Sequence, residues 1–108
     1  MTPDLRKEIK AECDKQFQKD LDKILDTAEG RRFYSWLMEH CGINLVTCEG
    51  NHKDYYLSGR RSVACDLRYA CDSLLNGLLY RHKAEDEYIN FQKSIYESIL
   101  AERKKAKK

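Results

Sequence analysis

Residues 27–43 read TAEGRRFYSWLMEHCGI, and this stretch decides the fold class. Thr27 is a natural N-cap, its hydroxyl placed to accept a backbone N–H from the first turn, and Glu29 complements the helix dipole there. Phe33, Trp36, Leu37 and Cys41 recur at three- and four-residue steps and mark one face of a helix. Gly42 then supplies the left-handed position that ends helices, with Ile43 as the following apolar contact. The period is helical on both sides of this segment as well.

Upstream, Thr2-Pro3-Asp4 is a second helix start: N-cap, proline in the first turn, and an acid facing the dipole. Leu5, Ile9, Cys13, Phe17 and Leu21 follow at four-residue steps, joined by Ile24 and Leu25. Steps of four overshoot the 3.6-residue turn by about 40° each, so the apolar stripe spirals around the helix. The Glu- and Lys-rich first half is therefore expected to project beyond the core, as a docking surface or as a solvated lever. Downstream, residues 44–51 (NLVTCEGN) read as a loop with Gly50-Asn51 turn chemistry. A third helix is predicted from between Asn51 and Ser58 to about Tyr80, on Tyr56, Val63, Leu67, Ala70, Leu74 and Leu78. A fourth runs from about Glu85 into the C-terminal residues, on Tyr88, Phe91, Ile95 and Ile99. No stretch alternates long enough to be a strand. The reading is an all-α four-helix bundle with a long N-terminal helix, residues 1–100 forming one domain and 101–108 a basic tail. The expected core is Trp36, Leu37, Val63, Leu67, Leu74, Ile95 and Ile99, so that Trp36→Ala or Leu67→Ala would cost about 2–5 kcal/mol.

Composition agrees. The 108 residues suit one domain; 35% are charged and 42% hydrophobic, with a mean hydropathy of −0.76. A disordered or low-complexity chain would carry fewer apolar residues and more than one Pro and five Gly. No apolar run is long enough for a membrane span or a secretory signal. The net charge of +2 is unevenly spread: residues 101–108 carry +4, which leaves about −2 for the body. Such a tail suits phosphate contact, and equally a solvated helix end.

Five cysteines, at 13, 41, 48, 65 and 71, form no CxxC pair, so reduced thiols are expected. Cys13, Cys65 and Cys71 fall in helical patterns as small core hydrophobes. Cys41, Cys48 and His52, with His40, are the only metal-ligand grouping, and their spacing lacks the short knuckle of structural zinc sites. Cys41 and Cys48 could pair only under oxidising conditions. No cofactor signature is present. Catalysis has little to draw on, since GxSxG, P-loop, HExxH and kinase signatures are all missing. His40, His52 and His82 fall in no recognised His–carboxylate or His–nucleophile catalytic motif.

Two Gly-Arg-Arg segments remain, Gly30-Arg31-Arg32 and Gly59-Arg60-Arg61. Each glycine is placed near a helix beginning, where a second backbone can approach. The four guanidinium groups suit anion binding at helix ends. They suit equally ion pairs with Glu29, Glu39 and Asp66 that orient the helices. Seven tyrosines add amphipathic rings of the kind enriched at interfaces, and adjacent Tyr55 and Tyr56 cannot both face the core. The candidate binding residues are Arg31, Arg32, Tyr55, Tyr56, Arg60 and Arg61.

The same residues carry a family likeness. Thr27-Ala28-Glu29-Gly30-Arg31-Arg32, Cys41-Gly42-Ile43, Gly50-Asn51 and Tyr55-Tyr56-Leu57-Ser58-Gly59-Arg60-Arg61-Ser62-Val63 resemble, in that order, a family of small tailed-phage proteins. An open reading frame of a Bordetella podovirus typifies it. The resemblance covers about residues 21–80; Ala28 replaces a usual proline, the first helix is longer, and the basic tail is this chain's own. The family has no assigned catalytic residues, and its genes lie near packaging and head-assembly genes. The resemblance implies a non-enzymatic virion or assembly protein of the host cytoplasm or the particle. Its partners would be other phage proteins, including itself, or a host protein whose surface it occupies. A nucleic-acid-binding packaging accessory is the alternative, through the Arg pairs and the tail. No membrane partner is implied.

Overall fold

Backbone capping sets the ends of the first two helices where the local chemistry places them. In the computed structural model, which describes residues 2–43 and 53–107 (for residues 53–55 the backbone alone), α1 spans Pro3–Leu25 and α2 spans Ala28–His40. The Thr2 hydroxyl accepts the Leu5 N–H at 3.3 Å. Thr27 Oγ1 accepts the Gly30 N–H at 3.0 Å and donates to the Ile24 carbonyl at 2.8 Å, tying the start of α2 to the end of α1. At the far end of α2, Gly42 has φ 68°. The Gly42 N–H reaches the Glu39 carbonyl and the Ile43 N–H the Met38 carbonyl, both at 3.1 Å, a complete Schellman stop. Residues 44–52, the predicted loop with Cys48 and His52, lie outside the described residues.

The third boundary departs from expectation. Helix α3 spans Lys53–Asp72 and α4 spans Gly77–Ala106, so the break falls at residues 73–76 rather than between Tyr80 and Glu85. Ser73 Oγ donates to the Tyr69 carbonyl at 2.8 Å, and the chain then turns through Leu74 N–H to Cys71 O and Gly77 N–H to Leu74 O, both 3.1 Å. Gly77 comes so close that a Cβ there would lie 1.9 Å from the Cys71 carbonyl oxygen. The apolar pair Leu74-Leu75 carried the helical pattern across this turn; Leu75 is 99% exposed. Arg81 closes the corner by donating to Asp72 at 2.7 Å. Helix α4 is also longer than α1, 30 residues against 23, and it carries the basic residues 101–106 as further helix.

The core is small, and it is not the expected one. Leu21 and Leu25 of α1, Tyr34, Met38 and Cys41 of α2, Ala64 and Cys71 of α3, and Tyr80 and Ala84 of α4 are buried. Small residues let the helices cross closely, and Ser35 Oγ donates to the Ala84 carbonyl at 3.0 Å between α2 and α4. Of the predicted core, Leu37, Leu67 and Leu74 are partly buried against this cluster. Trp36, Val63, Ile95 and Ile99 are 44–55% exposed and belong to the surface. Trp36 stacks on His40 instead, ring centroids 4.8 Å apart. Cys71 and Cys41 are buried, Cys65 is intermediate, and Cys13, expected inside, is exposed.

The overall shape follows. All of residues 2–20 and 89–107 are exposed. The radius of gyration is 18.8 Å, where a compact chain of this length would have about 13 Å. Tyr80 Oη donates to Asp22 at 3.1 Å, which joins α1 to α4 near the core. From that contact α1 runs back about 29 Å to Pro3 and α4 forward about 39 Å to Ala106. The longest dimension, 72 Å, requires the two arms to point away from each other.

Candidate functional site: two helical arms and an inter-helix cleft

The two Gly-Arg-Arg segments lie at opposite ends of α2 and do not form one cationic site. At the start of α2, Arg31 Nε reaches both carboxylate oxygens of Glu87 at 3.0 and 3.1 Å, and its NH1 donates to the Leu25 carbonyl at 3.0 Å. Its side chain is only 12% exposed. These contacts tie α1, α2 and α4 together and leave little of the Arg31 side chain open to a ligand. Arg32 is exposed and lies over the Phe91 ring, 5.3 Å from its centroid.

Past the other end of α2, Arg60 donates to the His40 carbonyl and Arg61 to the Ile43 carbonyl, the latter at 3.2 Å. The His40 carbonyl belongs to the last turn of α2, at the negative end of its dipole, so Arg60 helps neutralise that end, while Arg61 holds the chain just past the Gly42 stop. The expected partners Glu29, Glu39 and Asp66 are not the ones used. Arg60 also sits over Tyr56, 5.5 Å from the ring centroid, and Tyr56 is 67% exposed. The side chain of Tyr55 lies outside the described residues. Gly59 is inside α3, not at its start, and among the described residues no atom lies within 4 Å of the place a Cβ would take.

A cleft of about 480 Å³ opens between α2, α3 and α4, against Tyr34, Met38, Ile43, Arg68, Tyr88 and Ile89. Glu39 and Glu85 stand on its rim. The Tyr34 hydroxyl is buried without a hydrogen-bond partner among the described residues. Burial above all, then the Cys71 and Asp72 side chains, push its pKa far above the ordinary phenol range. Burial likewise pushes the Cys71 thiol up, so it stays protonated and unreactive at neutral pH. Burial and the nearby Glu39 carboxylate raise Tyr88. Among the described residues, no three His, Cys, Asp or Glu side chains are grouped to hold a metal ion. Cys48 and His52, half of the metal-ligand grouping noted in the sequence, lie outside those residues.

The larger feature is the apolar surface of the arms. On α1, Leu5, Ile9 and Phe17 are 45–47% exposed. On α4, Ile89, Phe91, Ile95, Tyr96, Ile99 and Leu100 are 38–63% exposed. Periodicity marks these positions as apolar without telling whether another helix covers them. No helix among the described residues is long and apolar enough to cross a membrane. Comparison with protein-family models, with curated proteins and with solved structures finds no match for this chain.

Proposed function

We propose that this chain is a small non-enzymatic bacteriophage protein that works through protein–protein contact, as a virion-associated or head and packaging assembly component. The observation that carries the interaction reading is the pair of arms: residues 3–20 and 91–106 stand outside the core with ordered apolar stripes in solvent. Lone helices of this length are marginal in water, and most helix stability in proteins comes from covering an apolar face. Covering such a stripe returns about 25 cal/mol per Å² of apolar surface. The phage assignment rests on the motif resemblance over residues 21–80.

Mass spectrometry of purified particles of the encoding phage tests it. Stoichiometric copies in the particle are the expected result. Absence from particles together with recovery on a host protein from infected cells would replace it with a host-directed inhibitor. One observation favours a nucleic-acid-binding accessory role: Arg103, Lys104, Lys105 and Lys107 are all exposed on the last turns of α4. That reading requires DNA affinity that falls steeply with salt and is lost on deleting residues 101–108.

A further inference from the structure

The exposed apolar stretch of α4 is flanked by opposite charges. Glu85-Asp86-Glu87 lies before the exposed apolar stretch and Arg103-Lys104-Lys105 after it. Glu85 and Arg103 are about five whole turns apart at 3.6 residues per turn, so they share one helix face. That face also bears Ile89, Tyr96 and Leu100, with Ile95 and Ile99 beside it, all exposed. Ser94 lies midway between Glu85 and Arg103.

We propose that the occupant of this face is a second copy of the chain, its α4 lying antiparallel across a two-fold axis that passes between the two helices level with residue 94. This deepens the interaction reading and rests on it. In that register Glu85 of each copy meets Arg103 of the other, Ile89 meets Ile99, and Gln92 meets Tyr96. A parallel pairing would instead set Glu85 on Glu85 and Arg103 on Arg103. Flanking charges of this kind choose the orientation of paired helices. They also add specificity, because like charges across an interface are costly.

Three further observations fit. Among the described residues Glu85 has a single long ion-pair contact, 3.7 Å to Arg81, and 54% of its side chain is exposed, which leaves room for a second cation. Glu87, by contrast, is already committed to Arg31. The cleft beside Glu85 and Ile89 lies where the partner's Ile99–Arg103 turn arrives, with Glu39 and Glu85 on its rim. The α1 arm offers no such complement, since its charges alternate in sign and its apolar stripe spirals.

The test uses the full chain and four preparations. Light scattering after size exclusion should give twice 12.7 kDa for the wild type. Glu85→Arg alone, and Arg103→Glu alone, should each raise the dimer dissociation constant by at least about tenfold, because both contacts become like-charged. Mixing the two single variants should restore the dimer, since each charge then meets its opposite. The double swap Glu85→Arg with Arg103→Glu should dimerise by itself. Unchanged helical circular dichroism in each variant separates lost association from lost folding. A wild-type monomer at high concentration overturns the proposal, as does a dimer indifferent to the single reversals or a mixture that stays monomeric. A monomer still found in particles would defeat only this pairing, and a dimer absent from particles only the particle assignment.

Discussion

At Gly30 an added Cβ would sit 1.7 Å from the Ile24 carbonyl oxygen, whereas at Gly59 nothing among the described residues lies within 4 Å. The arginine after Gly30 is part-buried in contacts with Glu87 and the Leu25 carbonyl; the two after Gly59 reach out to the His40 and Ile43 carbonyls at and just past the end of α2. Three identical letters thus serve as a tight corner in one place and as a helix-end clamp in the other. The difference arises from neighbours. Gly30 follows a two-residue turn that folds α2 back onto the last turn of α1, while Gly59 sits on an open face of α3. A repeated motif therefore identifies residues capable of a task, and the local packing selects which task they perform.

Stability measurements at fixed protein concentration can break this contrast. The largest effect is expected at Gly30→Ala, where the collision is with backbone that cannot rotate aside: a loss of about 3 kcal/mol, read as a lower urea midpoint. An unchanged midpoint would mean that the corner is looser than its geometry. Arg31→Met should cost about 2 kcal/mol, since it strands the Leu25 carbonyl and leaves Glu87 without its cation. Gly59→Ala should act in the opposite sense and stabilise by about 0.5–1 kcal/mol, because alanine is the better helix former and has room. A loss there would show that another backbone approaches this face. The smallest effects belong to Arg60→Ala and Arg61→Ala, about 0.5 kcal/mol each, from weaker neutralisation of the α2 terminus in the first and a lost hold on the Ile43 carbonyl in the second. If either matched Arg31→Met, the two segments would be energetically alike and the contrast would fail.

Much of the secondary structure was legible because the signals that end helices are local. Thr2, Thr27 and Gly42 act on N–H or C=O groups within a turn or so of themselves, and all three perform as their chemistry indicates. The break between α3 and α4 was not legible. Its cause is the approach of Gly77 to the Cys71 carbonyl, while Leu74 and Leu75 keep the apolar spacing running across the turn. The core was misread for a related reason. Trp36, Val63, Ile95 and Ile99 are large, apolar and correctly spaced, yet among the described residues they stand about half exposed; Ala64, Cys71 and Ala84 look inconspicuous and are buried where the helices pack. Among the candidate binding residues, the sequence identified Arg31 and Arg60 as consequential but could not name Glu87 or the His40 carbonyl as their partners, which lie 56 and 20 residues away.

The amino-acid order by itself determined that the chain is helical, where three of its helix ends fall, and how charge is laid along α4, because each depends on contacts within a turn or on spacing along one helix. Only the tertiary structure decided which apolar faces are covered and which stand in water, and which guanidinium groups are consumed inside the fold. Coverage requires a second helix brought close across a long stretch of chain, and a stripe on one helix holds no information about the distance to the next.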